Sequence, residues 1–179
     1  MQYDPKTHRR HSIRLKGFDY SRLGAYFVTV VSRGRESLFG EIVGGEMRLN
    51  QCGVIVREEW ERTSVIRPDV ELGAYVVMPN HLHGILVFRA NVVYAVGATR
   101  RVATKTLQPG SLGAIMAQFK SIVTKRIHAL CEISGAPIWQ RNYYEHVIRN
   151  QHELENIWNY IESNPARWKN DDENRTLGH

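Results

Sequence analysis

The chain has 179 residues, enough for one domain with a substantial core and too few for two comfortable ones. Its 42% apolar and 23% charged residues are those of an ordinary globular protein, and no apolar run approaches the length of a membrane span. A formal net charge of +6 favours a polyanionic partner.

That charge is unevenly spread. From Arg89 to Leu130 there are seven Lys or Arg (Arg89, Arg100, Arg101, Lys105, Lys120, Lys125, Arg126) and no Asp or Glu. The first 23 residues carry six basic residues against two acids, whereas eight acids offset the basic residues between Glu36 and Glu71. The N-terminus lacks the apolar core of a signal peptide, and Cys52 and Cys131 are too few and too far apart to form a metal motif. A cytoplasmic protein with structural, buried thiols is the expectation.

Taken in order, residues 1–20 form a basic arm with Arg9, Arg10, Arg14 and Lys16. Residues 24–31, aromatic and β-branched, predict a buried strand. Residues 38–42 and 46–49 flank Val43-Gly44-Gly45 and predict a small hairpin. Asn50 caps a helix running to about Ser64, ended before Arg67-Pro68. Residues 70–78 alternate into a second core strand, and Pro79-Asn80 turns it into a third, which begins His81-Leu82-His83.

Residues 89–110 show little periodicity and read as a weakly structured connection. Ser111 caps the clearest helix, with Leu112, Ile115, Met116, Phe119, Ile122, Val123, Ile127 and Leu130 on one face. Lys120, Thr124 and Lys125 lie off that stripe. After Gly135-Ala136-Pro137, residues 145–149 predict a short fourth strand. A last helix begins near Asn150, carries Leu154, Ile157, Trp158 and Ile161, and stops around Asn164-Pro165. The domain is expected over residues 21–170, with a tail at 171–179. Without the hairpin and last helix, the order is β-α-β-β-α-β. This is an α+β fold of ferredoxin-like, split β-α-β type with an antiparallel sheet, which puts the histidine strand beside the first strand in mid-sheet.

Strand alternation points His81 and His83 to the same face, about 7 Å apart along the strand, near enough to share one metal ion. On the last helix Tyr160 and Asn164 are four residues apart and so share a face. If that face meets the histidine strand, a metal ion sees His81, His83 and the amide oxygen of Asn164, with the Tyr160 hydroxyl beside its substrate. Such a set leaves open positions, and its oxygen character with no thiolate fits Mg²⁺ or Mn²⁺. Tyrosine, with a pKa near 10, attacks phosphorus only when the charge building on the phosphate is neutralised. The product is a 5′-phosphotyrosine and a free 3′-OH, a bond energy kept for rejoining.

The segments GAYFVTV, LFGEI, VVMPNHLHGILV, SLGAIMAQFKSIVTKRI, IWQRNYYEHVIRN and YIESNPARW, in this order, closely resemble the REP-associated tyrosine transposases. These are a branch of the HUH single-tyrosine transposases of bacterial insertion sequences, and the resemblance spans roughly residues 17–169. It implies an HUH fold with a tyrosine-bearing last helix. It also implies a metal-dependent endonuclease and strand transferase acting on single-stranded or hairpin DNA, with Tyr160 as nucleophile. In the wider superfamily the amide after the tyrosine is usually Gln; Asn164 keeps the chemistry with one methylene less reach.

Other readings stay open at this level. Tyr143 and Tyr144 are rival nucleophiles that lack an amide four residues on. They, with Trp139, Gln140 and Arg141, read as a loop for base stacking or backbone contact. His146 reads as structural. Lys120, Lys125 and Arg126 are candidate phosphate contacts, as are Arg100, Arg101 and Lys105 of the connection and the arm arginines. A catalytically inactive regulator that binds hairpin DNA is the alternative function. Monomer and homodimer are both compatible with the sequence.

Overall fold

A computed structural model describes residues 24–89, 110–132, 135–170 and 174. The predicted arm at residues 1–20, most of the tail and most of the 89–110 connection therefore lie outside the described residues. So do Arg9, Arg10, Arg14, Lys16, Arg100, Arg101 and Lys105.

The elements are β1 (Gly24–Val31), β2 (Gly40–Val43), β3 (Glu46–Leu49), α1 (Gln51–Ile66), β4 (Val70–Val77), β5 (His81–Phe88), α2 (Leu112–Cys131), β6 (Tyr144–Ile148) and α3 (Gln151–Arg167). The main sheet runs β4-β5-β1-β6, every neighbouring pair antiparallel, and β2-β3 form a separate hairpin. This is the ferredoxin-like order, with the histidine strand β5 central beside β1.

Both central strands bury two faces. From β1, Tyr26, Val28 and Val30 join Leu82 and Leu86 of β5 in a core with Trp60 of α1 and Met116, Phe119 and Val123 of α2. On the opposite face Phe27 and Ile85 pack with Ile148 and Ile161, the latter from α3, in a second core. The molecule is thus layered: α1 and α2, then the sheet, then α3. With its odd positions on the α3 side, β5 sends His81 and His83 toward α3.

The local signals act as read. Asn50, Ser111 and Asn150 each accept a hydrogen bond from the backbone N–H three residues on, at 3.0, 3.3 and 2.8 Å. Where β5 crosses α1 the backbone must be bare. A Cβ on Gly84 would lie 2.3 Å from Cζ2 of Trp60, so the indole occupies the space of the missing side chain.

Several expectations need correction. Helix α3 does not stop at Asn164-Pro165 but continues through Pro165 to Arg167, followed by the 3-10 turn Trp168–Asn170. A proline in the last turn loses one backbone bond, and the ring of Trp168 beyond it lies 5.9 Å from that of His81. Trp158, expected on the core face, is 40% exposed and donates to Glu162. Trp139, expected to be available for base stacking, is buried between Phe39 and Phe119, with ring centroids at 5.0 and 5.9 Å. Neither cysteine is fully buried: Cys52 is half-buried, and Cys131, at the end of α2 beyond its buried stripe, is exposed.

Candidate active site

Strand β5 starts at a two-residue turn closed by the bond from Met78 N to the carbonyl of His81 at 2.7 Å. Its alternation then puts His81 and His83 on the α3 face, 0% and 2% exposed. Their rings lean together, with centroids 4.3 Å apart and planes 62° from parallel, much closer than the spacing along the strand.

Each ring is tied to the protein through Nδ1. Nδ1 of His83 lies 2.8 Å from Oγ1 of Thr29, its cross-strand partner on β1, and Nδ1 of His81 lies 2.8 Å from Oδ1 of Asn80. The two Nε2 atoms are left for the site. That of His83 is 3.1 Å from the Tyr160 hydroxyl, and that of His81 is buried with no hydrogen-bond partner. Burial, and then the charge of Arg35, pushes the His81 pKa down to about 3, so this imidazole is neutral and keeps a lone pair at physiological pH.

On α3, Tyr160, Asn164 and Trp168 are spaced four apart and form one stripe. Its ends touch the two histidines: Tyr160 bonds His83, and Trp168 lies against His81. Asn164, midway along that stripe, is 1% exposed. Tyr160 itself is 38% exposed, its ring 5.2 Å from His83 and 6.2 Å from Phe27. The fold therefore brings His81, His83, Tyr160 and Asn164, with sequence separations of up to about eighty residues, to one place.

This arrangement fits a divalent cation. Two buried imidazoles, that of His81 neutral, each have Nδ1 engaged by a neighbour, which leaves Nε2 as the nitrogen for a metal, the arrangement that metal-ligating histidines show. Among the described residues no cluster of three His, Cys, Asp or Glu exists. The amide oxygen of Asn164, buried on the same stripe of α3, is a third group that could complete a metal site here.

Of the other candidates one borders the site and the rest lie elsewhere. Tyr144 is 40% exposed on β6 and pairs with Thr29, so it borders the site; its ring is 6.1 Å from Phe27. Tyr143 packs against the larger core. His146 bonds Glu153 at 2.6 Å, a structural pairing that links β6 to α3. Lys120, Lys125 and Arg126 belong to α2, across the sheet from the histidines. Lys120 donates to the carbonyls of Gln140 and Arg141 at 2.6 and 3.1 Å, and burial lowers its pKa. Arg126 pairs with Glu59 and Glu58 at 2.7 and 2.6 Å. Lys125 and Arg141 are exposed.

Three contributors escaped sequence reasoning. Thr29 had a signal, as a lone polar residue in a buried apolar strand that must find a partner. Asn80 read only as a turn residue, and Trp168 lay past the expected helix end.

No protein-family model matches the chain. An uncharacterised protein of Haemophilus influenzae is 38% identical over 176 residues, covering 95% of this chain and 96% of its own length. The chain belongs to one family with that protein. A solved structure of a REP-associated tyrosine transposase bound to a REP hairpin superposes with a TM-score of 0.54 at 22% identity, over 84% of this chain and 72% of that one. The chain has the REP-associated tyrosine transposase fold. Within this transposase fold, β5 and α3 face each other across the smaller core. No helix among the described residues is long and apolar enough to cross a membrane.

Proposed function

We propose that the chain is a divalent-metal-dependent endonuclease and strand transferase, a transposase that cuts single-stranded DNA beside a hairpin. The observation that carries this reading is the Tyr160 hydroxyl, partly exposed and 3.1 Å from Nε2 of His83, one of two buried histidines side by side. The likeness to a transposase bound to a REP hairpin supports hairpin DNA as the partner.

His81, His83 and the amide of Asn164 hold Mg²⁺ or Mn²⁺, which supplies charge neutralisation and orientation of the scissile phosphate when bound. The chain's own residues do the rest. Thr29 and Asn80 hold the imidazoles in place, and Phe27 supports the Tyr160 ring edge-on. The Tyr160 oxygen forms a bond to phosphorus and gives up its proton, while the bond to the 3′ oxygen breaks and that oxygen takes up a proton. The result is a 5′-phosphotyrosine on Tyr160 and a free 3′-OH. Attack by a 3′-OH reverses the step and rejoins strands without an energy cofactor.

The test is nicking of hairpin-bearing single strands in Mg²⁺ or Mn²⁺, with covalent adducts resolved on denaturing gels. Native protein forms an adduct and Tyr160→Phe forms none. An adduct that persists in Tyr160→Phe removes Tyr160 as nucleophile, and Tyr144, at the rim of the site, becomes the residue to replace. Hairpin binding with no cleavage under any metal condition favours a regulator instead.

A further inference from the structure

An imidazole accepts or ligates only through the nitrogen without a proton, so the tautomer of His81 decides what it offers the site. Its Nδ1 is 2.8 Å from Oδ1 of Asn80, and its Nε2 is buried with no hydrogen-bond partner. Which end of the Asn80 amide faces His81 follows from a second contact: Nδ2 of Asn80 donates to the backbone carbonyl of Arg35 at 3.1 Å. A carbonyl only accepts, so the amide NH₂ must face Arg35 and the amide oxygen must face His81. That oxygen also only accepts. The proton of His81 therefore sits on Nδ1, and the lone pair on Nε2.

The Arg35 carbonyl is itself fixed. It belongs to a turn in which Gly34 and Arg35 take φ of 67° and 58°, the latter uncommon for a residue with a side chain. Ser32 Oγ bonds the carbonyl of Glu36 at 2.8 Å, and Ser32 N bonds the carbonyl of Asn80 at 2.7 Å. Main chain and side chain of Asn80 thus both dock on this turn, which leaves the amide no room to flip without losing a bond.

We propose that Asn80 is a positioning residue that locks His81 as the Nδ1–H tautomer and so aims an unprotonated Nε2 at the cation site. The ligand's identity rests on the metal reading above; the lock does not.

Long-range proton–nitrogen spectra of metal-free protein labelled at histidine, at neutral pH, report the tautomer directly. His81 is expected as Nδ1–H in the native protein and in Asn80→Asp, whose carboxylate also accepts, and as mostly Nε2–H in Asn80→Ala. Calorimetric Mn²⁺ binding without DNA is expected to weaken about 10–100-fold in Asn80→Ala, the usual effect of losing such a support, and to be retained in Asn80→Asp. An Nε2–H His81 in the native spectrum overturns the proposal, and that spectrum alone decides if the alanine variant fails to fold. Unchanged tautomer and affinity in a folded Asn80→Ala overturn it too. A native protein with the Nδ1–H tautomer but no Mn²⁺ binding upholds the lock and removes the metal reading.

Discussion

On the proposed reading, Tyr160 and a metal ion compete for the same nitrogen of His83. The phenol hydroxyl lies 3.1 Å from Nε2 of His83, so a cation bound as proposed would displace that contact when His83 ligates it. A neutral hydrogen bond of this kind contributes about 1 kcal/mol net, or roughly fivefold in affinity. Tyr160→Phe is therefore expected to bind Mn²⁺ up to about fivefold more tightly than native protein, by calorimetry, while losing all adduct formation. Weaker binding in that variant means the hydroxyl helps hold the metal instead of competing for its ligand. His83 has a support of its own in Thr29, and a Thr29→Val change tests it in the same titration: the expected loss is again about 10–100-fold.

The elements carry the site through a few close contacts. Gly84 is one, because β5 can pass α1 only where the Trp60 indole meets bare backbone. Gly84→Ala is expected to destabilise by about 1–3 kcal/mol, the usual effect of overpacking, measured as the denaturant midpoint. Because Gly84 follows His83 directly, Mn²⁺ affinity should fall with it; a variant of native stability would show that Trp60 moves aside freely. A second contact ties α1 to β4. Tyr75 donates to Glu61, and burial, then that hydrogen bond and the Glu61 charge, push the Tyr75 pKa up to about 12. The unfolded value is near 10, so the folded protein holds the proton more tightly. Stability from this group is complete below pH 10 and is lost as pH rises toward 12. Tyr75→Phe is expected to flatten the fall in unfolding midpoint across that window. An unchanged slope would assign the alkaline loss to other groups.

At the scale of the molecule, the two faces of the sheet have different work. The α1–α2 face holds the larger core, and the basic residues of α2 serve it in part, with Arg126 joining the helices and Lys120 fastening the segment before β6. The α3 face holds the smaller core and the candidate site. If the proposed hairpin binding rests on basic residues outside the candidate site, DNA binding and metal chemistry should separate. A His81→Ala/His83→Ala protein is expected to keep hairpin affinity within a few-fold while losing cleavage, and its binding should fall as salt rises, as phosphate contacts require. Hairpin affinity lost along with the histidines would place the cation in binding as well as in cleavage.

What the sequence determined by itself is whatever depends on neighbours along the chain. Period-two alternation put His81 and His83 on one face, four-residue spacing put Tyr160 and Asn164 on another, and Asn50, Ser111 and Asn150 marked helix starts that the structure keeps. The order of elements was enough for the sheet topology, since few arrangements satisfy β-α-β-β-α-β. Only the tertiary structure decided how these faces meet. It drew the imidazoles to 4.3 Å, buried Trp139, engaged Lys120 and Arg126 within the protein, carried α3 past Pro165 and made Asn80 and Thr29 partners of the histidines. The reason is physical. Periodicity and capping are set within a turn or two, but a hydrogen bond between Tyr160 and His83 spans 77 positions and exists only once two layers have packed.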